Sequence, residues 1–341
     1  MEAYTREANM SNPVLVEVTR GSRVESRHRG AVAVADAEGR RVFALGEVAA
    51  PVFPRSAIKA LQALPLVEQG AAERYCFGDE ELALACASHG GEPAHVAGVE
   101  RMLAKAGLDS SALRCGAHWP ISQSATYALA RTGAASALHN NCSGKHAGFL
   151  CLACAMGVGT AEYFHPEHPV QRQVRAVLED FTGVVLDEDR CAIDGCSVPT
   201  WAVPLENLAR GFAKFGTGHG LAPERARAAA RLRQACAAQP WFVAGTGRFC
   251  TEIMQLFGER VFAKTGAEGV YCAALPEQGL GIALKCDDGA SRAAQAIMAA
   301  MIARFLPHDA AERAALAPLM QPSLRNWNGI EVGAIRVTAA L

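Results

Sequence analysis

Short apolar segments with strand character lie near both ends of the chain. They alternate with polar residues or are rich in β-branched residues, as half-buried or buried strands are. They cover residues 14–18, 30–36, 41–45, 269–275, 281–286 and 331–338. Turn residues separate neighbouring segments, for example Glu38-Gly39. This pattern predicts an antiparallel sheet from about residues 13–50 and 260–341.

Between these segments, apolar residues recur at helical spacing. The predicted helices cover about residues 56–68, 80–87, 93–106, 147–156, 170–182, 205–216 and 223–238. We expect Pro65 to kink or end the first of them early. The chain therefore has an α/β (α+β) pattern, with a helical region over about 56–258 inserted into the sheet. We expect one domain over 13–341 and a flexible, polar N-terminal extension over 1–12, with Met10 as an alternative start.

Composition narrows the class of protein. The chain has 341 residues, with 33 Lys and Arg against 34 Asp and Glu, for a net charge of −1. This balance excludes a general nucleic-acid binder, which needs a basic surface. The N-terminus has no apolar signal segment, and no apolar stretch is long enough to span a membrane. The 12 cysteines suit a reducing compartment, so we expect a cytoplasmic protein in which ten of them are packing thiols.

A serine and two lysines stand in positions that suggest chemistry. Ser56 and Lys59 have the Ser-x-x-Lys spacing at a helix start, so the amine can reach the hydroxyl as a general base. Lys264-Thr265-Gly266 precedes an apolar strand. Together these two motifs are the signature of serine β-lactamases and penicillin-binding proteins. The usual Ser-x-Asn element is missing, and Ser143-Gly144-Lys145 is the nearest substitute.

Two cysteines differ from the rest because they lie in polar turns. Cys142 begins a helix, where a thiol pKa is lowered, and Cys196 follows Asp194-Gly195 in a loop. Two thiolates with one nitrogen ligand would make a three-ligand zinc site. By chemistry alone His146 is a more ordinary nitrogen ligand than Lys145, which must first lose a proton. Cys151 and Cys154 form a C-x-x-C inside an apolar helix, and we interpret them as core residues.

Five ordered sequence blocks resemble a known family. They are Phe53-Pro54-Arg55-Ser56-Ala57-Ile58-Lys59, Ser88-His89-Gly90-Gly91-Glu92, Asn141-Cys142-Ser143-Gly144-Lys145-His146-Ala147-Gly148, Asp194-Gly195-Cys196-Ser197-Val198-Pro199 and Ala263-Lys264-Thr265-Gly266-Ala267-Glu268-Gly269. In this order they resemble the rhizobial-type L-asparaginases, the asparaginase II family, also called class 3. The resemblance covers the chain from about Met10 to its end.

The resemblance implies a fold similar to serine β-lactamases and glutaminases, and a homodimer. It also implies roles for ten residues: two catalytic pairs, Ser56 with Lys59 and Ser88 with Lys264; zinc ligands Cys142, Lys145 and Cys196; and substrate-pocket residues Arg55, His146 and Asp194. With this resemblance, lysine becomes the preferred nitrogen ligand.

The expected function is hydrolysis of the side-chain amide of L-asparagine to L-aspartate and ammonia. Ser56 would attack with Lys59 as base, near a zinc ion that orders the pocket. Sequence does not decide which serine attacks first. Two alternatives remain open: a β-lactamase-like serine amidase or esterase with another substrate, and a non-catalytic zinc- or amino-acid-binding protein. Neither a nucleic-acid nor a membrane partner is expected.

Overall fold

The computed structural model describes residues 12–131 and 133–341. In chain order its strands are β1 (Val14–Arg20), β2 (Arg23–Asp36), β3 (Arg41–Leu45), β4 (Pro51–Val52), β5 (Cys191–Ile193), β6 (Pro199–Trp201), β7 (Val203–Pro204), β8 (Phe262–Thr265), β9 (Val270–Leu275), β10 (Leu280–Cys286), β11 (Ser323–Arg325) and β12 (Glu331–Val337). Its α-helices are α1 (Lys59–Gln62), α2 (Leu64–Glu68), α3 (Ala71–Arg74), α4 (Asp79–Ala85), α5 (Pro93–Lys105), α6 (Gln123–Ala130), α7 (Ser143–Met156), α8 (Pro169–Thr182), α9 (Leu205–Thr217), α10 (Pro223–Ala238), α11 (Pro240–Ala244), α12 (Phe249–Phe257), α13 (Ser291–Phe305) and α14 (Ala310–Met320). Short 3₁₀ helices cover Arg55–Ile58, Ser110–Ala112, Ala137–His139, Glu188–Arg190, Gly258–Arg260 and Pro276–Gln278.

One antiparallel sheet joins the two ends of the chain. Its strand order is β11-β12-β1-β2-β10-β9-β8, and β3 also pairs with β2. Val16 of β1 pairs with Val337 of β12, and Ala33 of β2 pairs with Ala283 of β10. The predicted α/β class, with a sheet from both chain ends and a helical region inserted between them, is confirmed. Residues 1–11 of the predicted N-terminal extension lie outside the described residues.

The middle of the sheet is buried on both faces. Every residue of β9 is buried, which explains why its sequence is a continuous apolar run rather than an alternating one. Helices α9 and α13 both pack on β10. Gly281 permits the close approach of α9, because a Cβ there would collide with the Ala209 carbonyl oxygen. No helix in the described part of the chain is long and apolar enough to cross a membrane.

The first helical segment is broken as its proline predicts. A 3₁₀ helix over Arg55–Ile58 leads into α1, and α2 begins after Ala63 with Pro65 in its first turn. A proline lacks the N–H that would continue the preceding helix, but it is well placed in a first turn. The loop expected around Cys196 is more regular than predicted, because β5 and the start of β6 lie within residues 187–199. Lys264 precedes β9 as predicted, but it also lies within β8, a short strand that was not predicted.

Candidate active site

The Ser88 hydroxyl lies between two buried lysine amines. Its Oγ is 2.7 Å from Lys264 Nζ and 3.1 Å from Lys59 Nζ. Both lysines are fully buried, and Ser88 is only 5% exposed. Lys59 Nζ also donates hydrogen bonds to the carbonyl oxygens of Ala87 at 2.6 Å and Asn141 at 3.4 Å. The three side chains therefore form a continuous hydrogen-bonded chain, Lys59–Ser88–Lys264, shielded from solvent.

Three separate parts of the fold hold this chain of side chains in place. Ser88 follows α4, and its N–H donates to the Val243 carbonyl oxygen at 2.9 Å. Lys264 reaches the site from β8. Gly266, just after β8, allows that strand to pack against the 3₁₀ helix before α1, because a Cβ at Gly266 would collide with the Pro54 carbonyl oxygen. The glycine of the Lys-Thr-Gly motif is thus required by packing.

The electrostatics of the two lysines favour proton transfer. Burial, together with the nearby Lys59 cation, lowers the pKa of Lys264 from 10.5 to about 7. An amine with this pKa is available in its neutral form near neutral pH. Lys264 can therefore accept a proton from the Ser88 hydroxyl, as a general base does.

Ser56 lies one 3₁₀ turn before Lys59 and is half-buried. No hydrogen-bond partner for its Oγ is found among the described residues, so the structure joins Lys59 directly to Ser88 and not to Ser56. The residue before it, Arg55, has φ of 52°, in the left-handed region that non-glycine residues rarely adopt. Such strain is common where a fold presents a functional side chain.

Ser56 lines a small polar pocket. The pocket is formed by Arg55, Ser56, Gln62, Lys145, Asp194, Val198, Pro199 and Thr200. Within it, Arg55 Nε donates to Asp194 Oδ2 in a short ion pair. Burial alone would raise the pKa of Asp194, but Arg55 and the Lys145 ammonium outweigh it and lower the pKa. The pocket therefore carries both charge signs.

The predicted zinc ligands Cys142, Lys145 and Cys196 come together beside this pocket. All three are nearly fully buried, and Lys145 Nζ donates to Cys196 Sγ at 3.1 Å. A hydrogen bond from the Cys196 thiol, with the Lys59 and Lys145 amines, holds the pKa of Cys142 well below its usual range despite burial. Burial alone would lower the pKa of Lys145, but the two sulfurs outweigh it and raise that pKa.

Two sulfurs and one nitrogen are a donor set that suits zinc. No cluster of three or more His, Cys, Asp or Glu side chains able to hold a metal exists among residues 12–131 and 133–341. In the set that the family resemblance implies, the third donor is the amine of Lys145, which lies 3.1 Å from Cys196 Sγ. The close approach of α7, which carries Lys145, depends on Gly144, where a Cβ would collide with the Leu84 carbonyl oxygen.

His146, predicted to line the substrate pocket, is fully buried and forms a hydrogen bond with Tyr163. Its Nδ1 is 2.6 Å from the Tyr163 hydroxyl oxygen, while its Nε2 has no hydrogen-bond partner within the described part of the chain. Burial, with the Lys145 and Lys59 cations, lowers the pKa of His146 well below its usual value. The imidazole is thus neutral.

The other cysteines mostly act as packing groups, as predicted. Cys151, for example, is fully buried, and its thiol donates to the Met102 carbonyl oxygen at 3.3 Å. The prediction was wrong for Cys76, which is exposed. All twelve thiols are free.

Sequence reasoning missed the two other polar residues of the pocket, Gln62 and Thr200. Gln62 lies six positions after Ser56 and three after Lys59, so helical spacing could have identified it. Thr200 lies in β6, directly after the segment that the sequence suggested was a loop, and nothing in its neighbourhood distinguished it.

One protein-family profile matches most of the chain. The sequence profile of the family described as L-asparaginase II matches residues 16–337. No curated protein sequence matches this chain.

The solved structures resemble this chain only distantly. A β-lactamase from Mycobacterium bovis is 14% identical, over 82% of this chain and 95% of its own, with a TM-score of 0.40. The protein Mglu in its native form is 17% identical, over 82% of this chain and 65% of its own, with a TM-score of 0.39. Its tris and glutamate form is 18% identical, over 88% of this chain and 65% of its own, with a TM-score of 0.38. Since the family profile covers nearly the whole chain, residues 16–337, the chain belongs to the L-asparaginase II family.

Proposed function

We propose that the protein hydrolyses the side-chain amide of L-asparagine to L-aspartate and ammonia by serine–lysine chemistry. Family membership supports an amidohydrolase. The observation that carries the finer proposal is the Ser88 hydroxyl held between Lys59 and Lys264 at 3.1 and 2.7 Å. A buried hydroxyl bridging two amines offers a path for one proton, and amide hydrolysis needs a proton removed from the nucleophile and returned to the leaving nitrogen.

In this mechanism Ser56 is the nucleophile, because it faces the polar pocket. Lys59 gives a proton to Ser88 Oγ as Ser88 gives one to neutral Lys264, which leaves Lys59 neutral as the base for Ser56. Ser56 Oγ then bonds to the amide carbon and the C–N bond breaks. The proton taken from Ser56 is returned to the nitrogen, which leaves as ammonia. Water hydrolyses the acyl-enzyme, releasing L-aspartate and restoring Ser56.

The charged residues of the pocket suit the two ends of an amino acid. Arg55 would bind the α-carboxylate and Asp194 the α-ammonium group, with the buried His146 supporting the pocket. In the structure Arg55 and Asp194 pair with each other. A zwitterion can replace this ion pair by two new ones without leaving either charge unpaired.

We propose that zinc is held by Cys142, Cys196 and the neutral amine of Lys145. When bound, the ion would fix the loop carrying Asp194 to the start of α7 and so order the pocket. We also propose a homodimer, following the family resemblance, and a cytoplasmic location, which the twelve free thiols support.

An ammonia-release assay with L-asparagine, L-glutamine and D-asparagine, with and without added zinc, tests the function. We expect L-asparagine to be hydrolysed fastest. L-Glutamine differs by one methylene, so we expect a preference of about 10- to 200-fold over it. Absence of ammonia from all three substrates would refute the proposal. Acylation of Ser56 by a penicillin, seen as a mass increase, would favour a different amide substrate.

A further inference from the structure

The pocket beside Ser56 contains two buried polar atoms without partners. Gln62 Oε1 and Thr200 Oγ1 have no hydrogen-bond partner among the residues described. The two residues are 4% and 5% exposed, and both line the pocket that contains Ser56. Leaving a buried acceptor unpaired is unfavourable, and each such case in a folded protein calls for an explanation. Two of them in one pocket indicate a ligand that supplies the missing hydrogen bonds.

The local helix geometry places Gln62 on the side of the catalytic residues. Ser56, Lys59 and Gln62 are spaced by three residues along a 3₁₀ helix that continues into α1. Residues three apart lie nearly above one another in such a segment. The Gln62 amide is therefore positioned along the same side of the helix as the proposed nucleophile.

The charges of the pocket leave one role for a neutral acceptor. Arg55 is cationic and Asp194 is anionic, so these two groups suit the carboxylate and the ammonium of an amino acid. The remaining polar part of L-asparagine is its neutral carboxamide, which carries two N–H donors. Among the pocket side chains, the Gln62 carbonyl oxygen is a neutral, acceptor-only atom that matches such a donor.

We propose that Gln62 Oε1 accepts a hydrogen bond from the carboxamide N–H of the substrate, with the Thr200 hydroxyl completing the same polar subsite. This inference rests on the proposed function. It makes Gln62 a specificity-determining residue, because an ester or a carboxylate has no N–H to offer at that position. L-Aspartate, the product, would leave the acceptor unpaired, which favours its release.

The test compares an amide with an ester in the same pocket. Gln62→Met keeps the side-chain length but removes the acceptor. We expect kcat/KM for L-asparagine to fall by about 10- to 100-fold, whereas hydrolysis of L-aspartate β-methyl ester should change by less than about 3-fold. Equal losses on both substrates, or no loss on the amide, would overturn the proposal.

A matched control separates recognition from packing. Gln171 in α8 is also buried with an unpartnered Oε1, but its Nε2 donates to the Tyr163 carbonyl oxygen at 2.9 Å. Gln171→Met should therefore lower the melting temperature without changing the amide-to-ester ratio. Gln62→Met removes an unpartnered atom and should leave the melting temperature unchanged or raised. A melting temperature lowered as much as in the Gln171 variant would mark Gln62 as structural.

Binding measured without turnover distinguishes this inference from the proposed function. In a Ser56→Ala background, calorimetry should show L-asparagine binding more tightly than L-aspartate, and addition of Gln62→Met should reduce that preference by at least about 10-fold. If the wild-type protein releases no ammonia, the proposed function fails while this measurement still decides the role of Gln62. A preference that survives the Gln62 substitution would overturn the inference.

Discussion

Lys264 should make the stability of the protein depend on pH in a defined direction. Its pKa is about 7 in the folded protein, chiefly because of burial, against 10.5 for a free lysine. Between these two values the unfolded chain binds a proton at this position and the folded protein does not. Stability must therefore rise with pH over this window, by up to about 1.4 kcal/mol per pH unit.

The size of the effect follows from the same two values. At pH 7 the amine is protonated in the unfolded chain and half protonated in the fold, and by pH 9 about half of the free-energy penalty of burying it has gone. For this single group, the free energy of unfolding should rise by about 2 kcal/mol from pH 7 to pH 9. Lys264→Met removes the titrating group, so the variant should lack this rise.

Urea unfolding at pH 7, 8 and 9 measures the effect in both proteins, with fluorescence and circular dichroism used to check that unfolding is two-state. The stability of the variant relative to wild type should fall by about 2 kcal/mol across this range. Lys285→Met, in β10 two strands away in the same sheet and with a partly exposed side chain, is the matched control. If the difference in the free energy of unfolding between wild type and the Lys264 variant does not change with pH, burial does not lower the pKa of this amine. The proposed proton path would then lack its acceptor.

Four further outcomes are expected. With the wild-type protein, kcat/KM should rise as pH increases through about 7, as neutral Lys264 forms; a flat profile from pH 6 to 8 would contradict its role. Ser56→Ala should reduce ammonia release from L-asparagine by about three orders of magnitude or more, and near-normal turnover would exclude Ser56 as nucleophile. Cys142→Ser should abolish stoichiometric zinc in metal analysis while Cys151→Ser retains it, and a Cys142 variant still holding one zinc per chain would refute the ligand set. Gly266→Ala should destabilise the protein by about 2 kcal/mol or more, because its Cβ meets a backbone carbonyl, whereas Gly159→Ala, which meets no atom within 4 Å, should not; equal melting temperatures for the two would argue against the packing.

The sequence predicted those parts of the molecule whose signals are local. Strands such as β9 and β10 are largely apolar runs bounded by turn residues, so they were found close to their observed bounds. Helices α6 and α14 were missed for the opposite reason. No residue of α6 is buried, and in α14 only Leu316 is, so neither helix needs an apolar face that a sequence pattern could show.

The candidate site was only partly predictable for a similar reason. The Ser-x-x-Lys spacing located Lys59. A lysine side chain is long and flexible, however, so the spacing did not reveal that the amine forms a hydrogen bond with Ser88, 29 positions further along the chain. That contact depends on where the residues after α4 lie relative to the start of α1, which is a tertiary property. Gln62 and Thr200 are common neutral residues, and only their burial without partners distinguishes them.

The antiparallel sheet also affects how the chain is made. Ala33 in β2 pairs with Ala283 in β10, so β2 cannot form this pairing until a strand about 250 residues later in the chain has been made. During synthesis on the ribosome, β2 emerges long before β10, and its apolar residues have no native neighbour on that edge for most of translation. Contacts this distant in sequence slow folding and prolong exposure to aggregation. The nascent chain should therefore depend on chaperones until its last 80 or so residues emerge, and Lys264 can join Ser88 only in that final stage of folding.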